Sequence, residues 1–299
     1  MKIQTNSELP ITMLEDYNER LNDFDFVLFH LYISDPSYKR YFNSLRENHP
    51  ERTMILDNSA YEFFIKGETL DMDKYVEAII ELNPDYYLLP DVLMNKKQTV
   101  ANALEFQETH QKKIEEYFKN IDEGAPQPIA VVQGNSIAEF NVCLLILLNA
   151  GYKNIAIPFH NSFFKDEIDE CDGDIAYQFA TAGYNHCTED VRYAMGRAMW
   201  FKHHGMNILY PNGKSRTTKL HFLGSHCPAE KKYYEGLNLE NTTMDTGYPV
   251  KCAIEGIELG SEKVKPNIII DDFMNEILPY ETQELIANNV IKFKNYTNE

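Results

Sequence analysis

Short apolar runs alternate with longer amphipathic stretches along the whole of this 299-residue chain, and that alternation limits the folds open to it. Runs at 26–32, 53–57, 85–91, 128–133, 152–158, 220–224, 241–245 and 266–271 read as strands. They are continuous rather than alternating in apolar character, as parallel strands covered on both faces require. Between them, 72–82 carries Tyr75, Val76, Ile79, Ile80 and Leu82 at helical spacing, and 95–120 carries Val100, Ala103, Leu104 and Phe106 as an inner stripe. Helical patterns at 137–150, 189–204 and 282–293 complete the clear set. Strand followed by helix, repeated, gives a parallel sheet with right-handed crossovers. About eight such strands fit a closed α/β barrel of the (β/α)8 TIM type better than an open sheet. A doubly wound fold is the alternative, weakened because no Gly-rich phosphate fingerprint follows the first strand.

No Gly/Ser/Pro-rich linker divides the sequence, so 1–299 reads as a single barrel domain. With 19 Tyr and 17 Phe against one Trp, its core should be built from single-ring aromatics. The segment 161–185 is irregular and acidic (Asp166, Glu167, Asp169, Glu170, Asp172, Asp174) and reads as a solvent-exposed insertion. A lid or a cation-binding loop is the other reading, but EF-hand spacing is absent.

No apolar run approaches the ~18 residues that cross a membrane. The N-terminus shows no apolar leader segment, so a cytoplasmic protein without a membrane partner is expected. Five cysteines with no CxxC spacing read as free thiols. The net charge of -18 repels nucleic acid on average. Against that background, 191–229 carries Arg192, Arg197, Lys202, Lys214, Arg216 and Lys219 and no acidic residue. Such a stretch is either a phosphate-holding surface or a solvated helix face followed by a loop.

In a parallel barrel, chemistry sits at the C-terminal ends of the strands. Four runs finish there in a polar residue: Asp57, Asp91, Gln133 and Asp245. A single strand-end Asp is often only a helix cap. Four on different strands point instead to acid/base or nucleophilic work. A divalent metal is the competing use of three carboxylates, with His30, His160 and His221 in or beside strands as further ligands. No HxH or HxxxH pair accompanies them, so no metal is expected.

These motifs resemble those of the tRNA-guanine transglycosylases. Asp57-Asn58-Ser59-Ala60-Tyr61-Glu62 is similar to that family's Asp-Ser-Gly-Gly-aromatic-Gln turn, and Leu89-Pro90-Asp91 falls where the family carries its base-reading Asp. Val131-Val132-Gln133-Gly134-Asn135 resembles Val-Gln-Gly-Gly. His221-Phe222-Leu223-Gly224-Ser225-His226-Cys227-Pro228 resembles Leu-Met-Gly-Val-Gly-Thr-Pro, and Asp245 falls on the nucleophile's strand. Order and spacing agree over 54–249, and the looseness around the motifs is closest in character to the relatives that insert a 7-deazaguanine into DNA.

The resemblance implies that Asp245 attacks the anomeric carbon and expels guanine, while Asp57 takes the proton from the incoming base. It implies that Asp91 and Gln133 read the purine edge, with Gly134, Ser59, Phe159 and Gly224 lining the base and Tyr61 stacking on it. Lys214, Arg216 and Lys219 become the candidate phosphate contacts. A carboxylate can trap an oxocarbenium-like centre covalently, as in retaining glycosidases, and a flipped base is held by stacking and edge hydrogen bonds. Ser59-Ala60 departs from the family's glycine pair, Pro158-Phe159 stands where relatives place glycines, and the Cys-x-Cys-x-x-Cys zinc site is missing. Neither zinc nor another cofactor is therefore expected. The expected partners are DNA or a guanine nucleotide and a 7-deazaguanine base, with homodimer formation left open. A hydrolase of the same N-glycosidic bond and a non-catalytic barrel are the competing functions.

Overall fold

A computed structural model describes residues 2–119, 121, 124–159, 163–166, 173–181, 189–237, 239–259, 268 and 273–296. Eight strands form one sheet: β1 Gln4–Ser7, β2 Asp25–Leu28, β3 Met54–Asp57, β4 Tyr86–Leu88, β5 Gln127–Val131, β6 Asn154–Pro158, β7 Lys219–Leu223 and β8 Thr242–Thr246. Their order is β1-β8-β7-β6-β5-β4-β3-β2, with parallel pairing and intervening helices, which is a nearly closed (β/α)8 barrel. The chain divides into two compact units, 1–23 with 162–212 and 221–299, and 24–161 with 213–220.

Two departures from the sequence pattern matter. The apolar run 26–32 is a strand only to Leu28, and Phe29–Ser34 is helical. A short apolar run does not by itself separate a buried strand from a buried helix turn. The other is β1, a polar segment that no apolar pattern marks. Its Thr5, Asn6 and Ser7 are buried, and its backbone is satisfied on both edges. Glu8 N–H donates to Thr246 O on the β8 side. On the other side, Thr5 N–H donates to Asp23 Oδ2 (3.1 Å) and Ser7 N–H to Asn22 Oδ1 (2.7 Å). Asn22 Nδ2 donates to Ser7 O and Asp23 N–H to Thr5 O. Side chains thus replace a neighbouring strand. The strand expected at 266–271 lies outside the described residues apart from Ile268.

Helix starts follow the local chemistry. Asp35, Asp71, Asn95 and Ser136 cap the helices Pro36–Asn48, Met72–Leu82, Lys96–Phe106 and Ile137–Asn149, each accepting from a first-turn N–H. The core of the unit holding β2–β6 is aromatic, as composition implied. Phe29, Tyr75, Phe106 and Tyr87 meet in a chain with neighbouring ring centroids 4.9, 6.4 and 5.8 Å apart. In the other unit Phe222 stacks on Tyr234 at 3.9 Å, and Phe201 meets both edge-on. Cys143, Cys227 and Cys252 are buried free thiols. Among the described residues, no helix is long and apolar enough to cross a membrane.

Candidate active site

One cluster lies at the C-terminal ends of β3, β4 and β5. Asp57, the last residue of β3, accepts the Ser59 N–H on Oδ2 at 2.8 Å, and Asn58 Oδ1 accepts the Ala60 N–H at 2.9 Å. These two bonds fold the chain sharply from strand to the helix Ala60–Lys66. Ser59 occupies the left-handed region (φ 55, ψ 33). For a non-glycine residue that conformation costs about 1–2 kcal/mol. Its buried hydroxyl oxygen accepts the His30 N–H (3.1 Å) and meets His30 Nδ1 at 3.0 Å, which holds the turn in place. Tyr75 braces the strands from below, donating its hydroxyl proton to Leu88 O at 2.7 Å.

Asp91 is the centre of this cluster. Asn58 Nδ2 donates to Asp91 Oδ1 (2.8 Å) and to Leu89 O (2.7 Å), and Gln133 Nε2 donates to Asp91 Oδ2 (2.7 Å). Both amides have only one sensible orientation. Asn58 Oδ1 is taken by the Ala60 N–H, and Gln133 Oε1 accepts the Met94 N–H at 3.0 Å, so each NH2 faces the carboxylate. Each carboxylate oxygen therefore keeps lone-pair capacity for a further donor. Desolvation raises the Asp91 pKa above its ordinary value, and the two amide hydrogen bonds pull it back only in part. Gly134 follows Gln133 for a packing reason: a Cβ there would stand 2.6 Å from the Phe140 nitrogen. Phe159 is buried just after β6, and Tyr61 is 47% exposed on its helix.

A second cluster surrounds Asp245 on β8, in the other unit. Oδ1 accepts the Gly224 N–H at 2.9 Å, and His221 Nε2 lies 3.2 Å from the same oxygen. His221 Nδ1 meets Thr243 Oγ1 at 2.9 Å. Thr243 and Asp245 share a face of β8 because strand side chains alternate. Gly224, at φ 63, begins a turn that is fastened from behind. The buried Arg197 donates to Leu223 O (2.8 Å), to Gly224 O (2.6 Å) and to both oxygens of Glu230 (2.6 and 3.0 Å). Ser225 and Tyr234 hydroxyls also donate to Glu230, and Thr246 Oγ1 donates to Ser225 O.

The expected phosphate contacts are placed elsewhere. Lys214 and Arg216 lie on the loop that leads into β7, and Lys219 is its first residue, so all three are at the strand's N-terminal end. Lys219 is 1% exposed, with Nζ 4.5 Å over the ring of Tyr86, the first residue of β4. Arg216 reaches Asn149 Oδ1 instead. Arg197 is buried against Glu230, and Lys202 Nζ lies 3.9 Å from Asp174. Two of the six basic residues, Arg197 and Lys219, are thus buried in internal contacts. Spacing alone missed this because it does not report depth.

The residues that sequence reasoning overlooked are Asn58 and the Arg197–Glu230 pair. Asn58 stood inside a noticed motif, and a polar side chain next to a strand-end Asp was the available signal. His30 and His221, weighed as metal ligands, are used on Ser59 and beside Asp245. His160 and most of the acidic 161–185 segment lie outside the described residues. Among the described residues, no three His, Cys, Asp or Glu side chains gather where a metal ion could be held. The fold and these clusters define a (β/α)8-barrel protein with carboxylate and amide groups at its strand ends. No protein-family model matches the sequence, and no curated protein does.

Proposed function

We propose that this protein is a base-exchanging transglycosylase that replaces guanine with a 7-deazaguanine base in DNA. The observation that carries the proposal is the Asp91 carboxylate, oriented by two amides whose own oxygens are tied to backbone N–H groups. Such a carboxylate complements a planar edge with two adjacent donors, which the N1–H and 2-amino group of a guanine-type base provide. Adenine has an acceptor at N1 and no 2-amino group, so it fits poorly. Asp245 would supply the nucleophile: its carboxylate adds to the anomeric carbon as the C–N bond breaks and guanine leaves with the electron pair. The incoming base then displaces the carboxylate with loss of a proton to Asp57, so configuration is retained and water is not consumed.

The same exchange on a free guanine deoxynucleotide is the second reading. It is favoured by the positions of Lys214, Arg216 and Lys219 at the strand's other end, which removes the anticipated grip on a polymer backbone. Incorporation of labelled guanine into DNA, RNA and dGTP, with wild type and Asp245→Asn in parallel, tests both. Label in DNA with wild type only is the expected result, and label in dGTP alone would establish the second reading. Release of free guanine without incorporation would identify a hydrolase, and no turnover of any substrate would refute transglycosylation.

A further inference from the structure

Asp245 is held on one oxygen only. Oδ1 takes the Gly224 N–H and lies 3.2 Å from His221 Nε2, while among the described residues Oδ2 has no hydrogen-bond partner. Asp245 is nevertheless 4% exposed, so the open oxygen is not simply bathed in solvent. His221 is wholly buried, and its other nitrogen is 2.9 Å from Thr243 Oγ1. Thr243 can donate its hydroxyl proton to Nδ1, which leaves Nε2 as the protonated nitrogen of the neutral ring. The Nε2–H then lies beside the Asp245 carboxylate, whereas the other tautomer would bring a lone pair there. The approach is off-line for a hydrogen bond as it stands, and what the pair shares is attraction between a charge and an N–H dipole.

We infer that His221 is a positioning residue that, together with the Gly224 N–H, fixes Oδ1 of Asp245 and reserves Oδ2 as the attacking oxygen. The inference rests on the transglycosylase proposal for what Oδ2 attacks, and on geometry alone for how the carboxylate is held. The two supports are independent in origin. Gly224 is presented by the turn that Arg197 fastens through the Leu223 and Gly224 carbonyls, whereas His221 comes from within β7. A carboxylate free to rotate would offer either oxygen and lose part of its alignment. Misplacement by about 1 Å at a reacting atom is enough to cost about a hundredfold in rate.

The test has two arms. In the first, nitrogen-15 NMR of the full chain labelled at histidine reads the tautomer of His221, assigned by its loss in His221→Gln. The Nε2–H form is expected, and the Nδ1–H form would overturn the inference whatever the enzyme's activity. In the second, labelled-guanine exchange compares wild type, His221→Leu and His221→Gln. We expect kcat to fall about a hundredfold in His221→Leu with little change in KM for the base. His221→Gln, which keeps a terminal N–H donor, should recover most of that loss. Equal loss in both variants with unchanged unfolding midpoints would overturn the inference. If wild type itself transfers no label, the transglycosylase proposal fails while the tautomer result still decides how Asp245 is held.

Discussion

Replacing Lys219 by methionine should make the protein more stable below pH 8 and leave that gain to vanish in alkaline solution. The side chain is 1% exposed and has no hydrogen-bond acceptor among the described residues, and burial lowers its pKa from 10.5 to about 8. At ~1.4 kcal/mol per pH unit, holding the charge there costs about 3 kcal/mol relative to the unfolded chain. Attraction to the Tyr86 ring returns roughly 0.5–1 kcal/mol, while the field of Asp85 is already part of the net shift. A net gain of about 2 kcal/mol on Lys219→Met is therefore expected at pH 6.5, because methionine retains most of the stem and none of the charge. The sign follows from the direction of the shift. A lysine whose folded pKa lies below its unfolded one binds more protons in the unfolded chain between pH 8 and 10.5, so wild-type stability rises through that window. Urea unfolding of both proteins at pH 6.5, 8 and 9.5 measures the difference, and subtraction cancels the titrations that the two proteins share. A difference that is constant with pH, or a variant weaker at pH 6.5, would refute the account of Lys219 as a buried cation only partly compensated by Tyr86 and Asp85.

Removing Asn58 should damage base recognition more than folding: Asn58→Leu leaves Asp91 Oδ1 without its side-chain donor, and a hydrogen bond to a charged group is worth about 1.5–3 kcal/mol. Guanine affinity, measured by calorimetry, should fall by at least about tenfold. If Asp91 reads the base as proposed, it must be ionised to accept from it, so wild-type affinity should disappear as pH falls through the raised Asp91 pKa, and at a higher pH still in Asn58→Leu. Arg197→Met strands Glu230 in the interior and should cost about 3–5 kcal/mol, whereas Arg197→Met with Glu230→Leu should recover much of that loss in the same unfolding assay.

The barrel was legible because seven of its eight strands fall on short runs that are each followed by a helical stretch, although the run over β8 holds a single apolar residue, Met244. β1 was not, since its buried residues Thr5, Asn6 and Ser7 are polar, and its outward amides at Thr5 and Ser7 are satisfied by Asp23 and Asn22, contacts that no local pattern encodes. The site was half visible in the same sense. Asp57, Asp91, Gln133 and Asp245 stood out as polar ends of apolar strands. The residues that orient them did not: Asn58 reaches across from β3 to Asp91, and Arg197 fastens the Gly224 turn whose N–H holds Asp245. Charge was the least informative signal, because a count of lysines and arginines does not separate Lys219 and Arg197, which are buried, from Lys214, which is exposed.

The outer edge of β1 bears on how the molecule behaves in a crowd. An unpaired strand edge is a template on which another chain can add itself, the first step toward sheet-to-sheet association. Here the Asn22 and Asp23 groups already occupy the outward amides and carbonyls of Thr5 and Ser7. An incoming strand would have to evict them before gaining its first rung. Two side chains that complete the barrel's hydrogen bonding are, from a neighbour's side, what keeps one copy from growing onto the next.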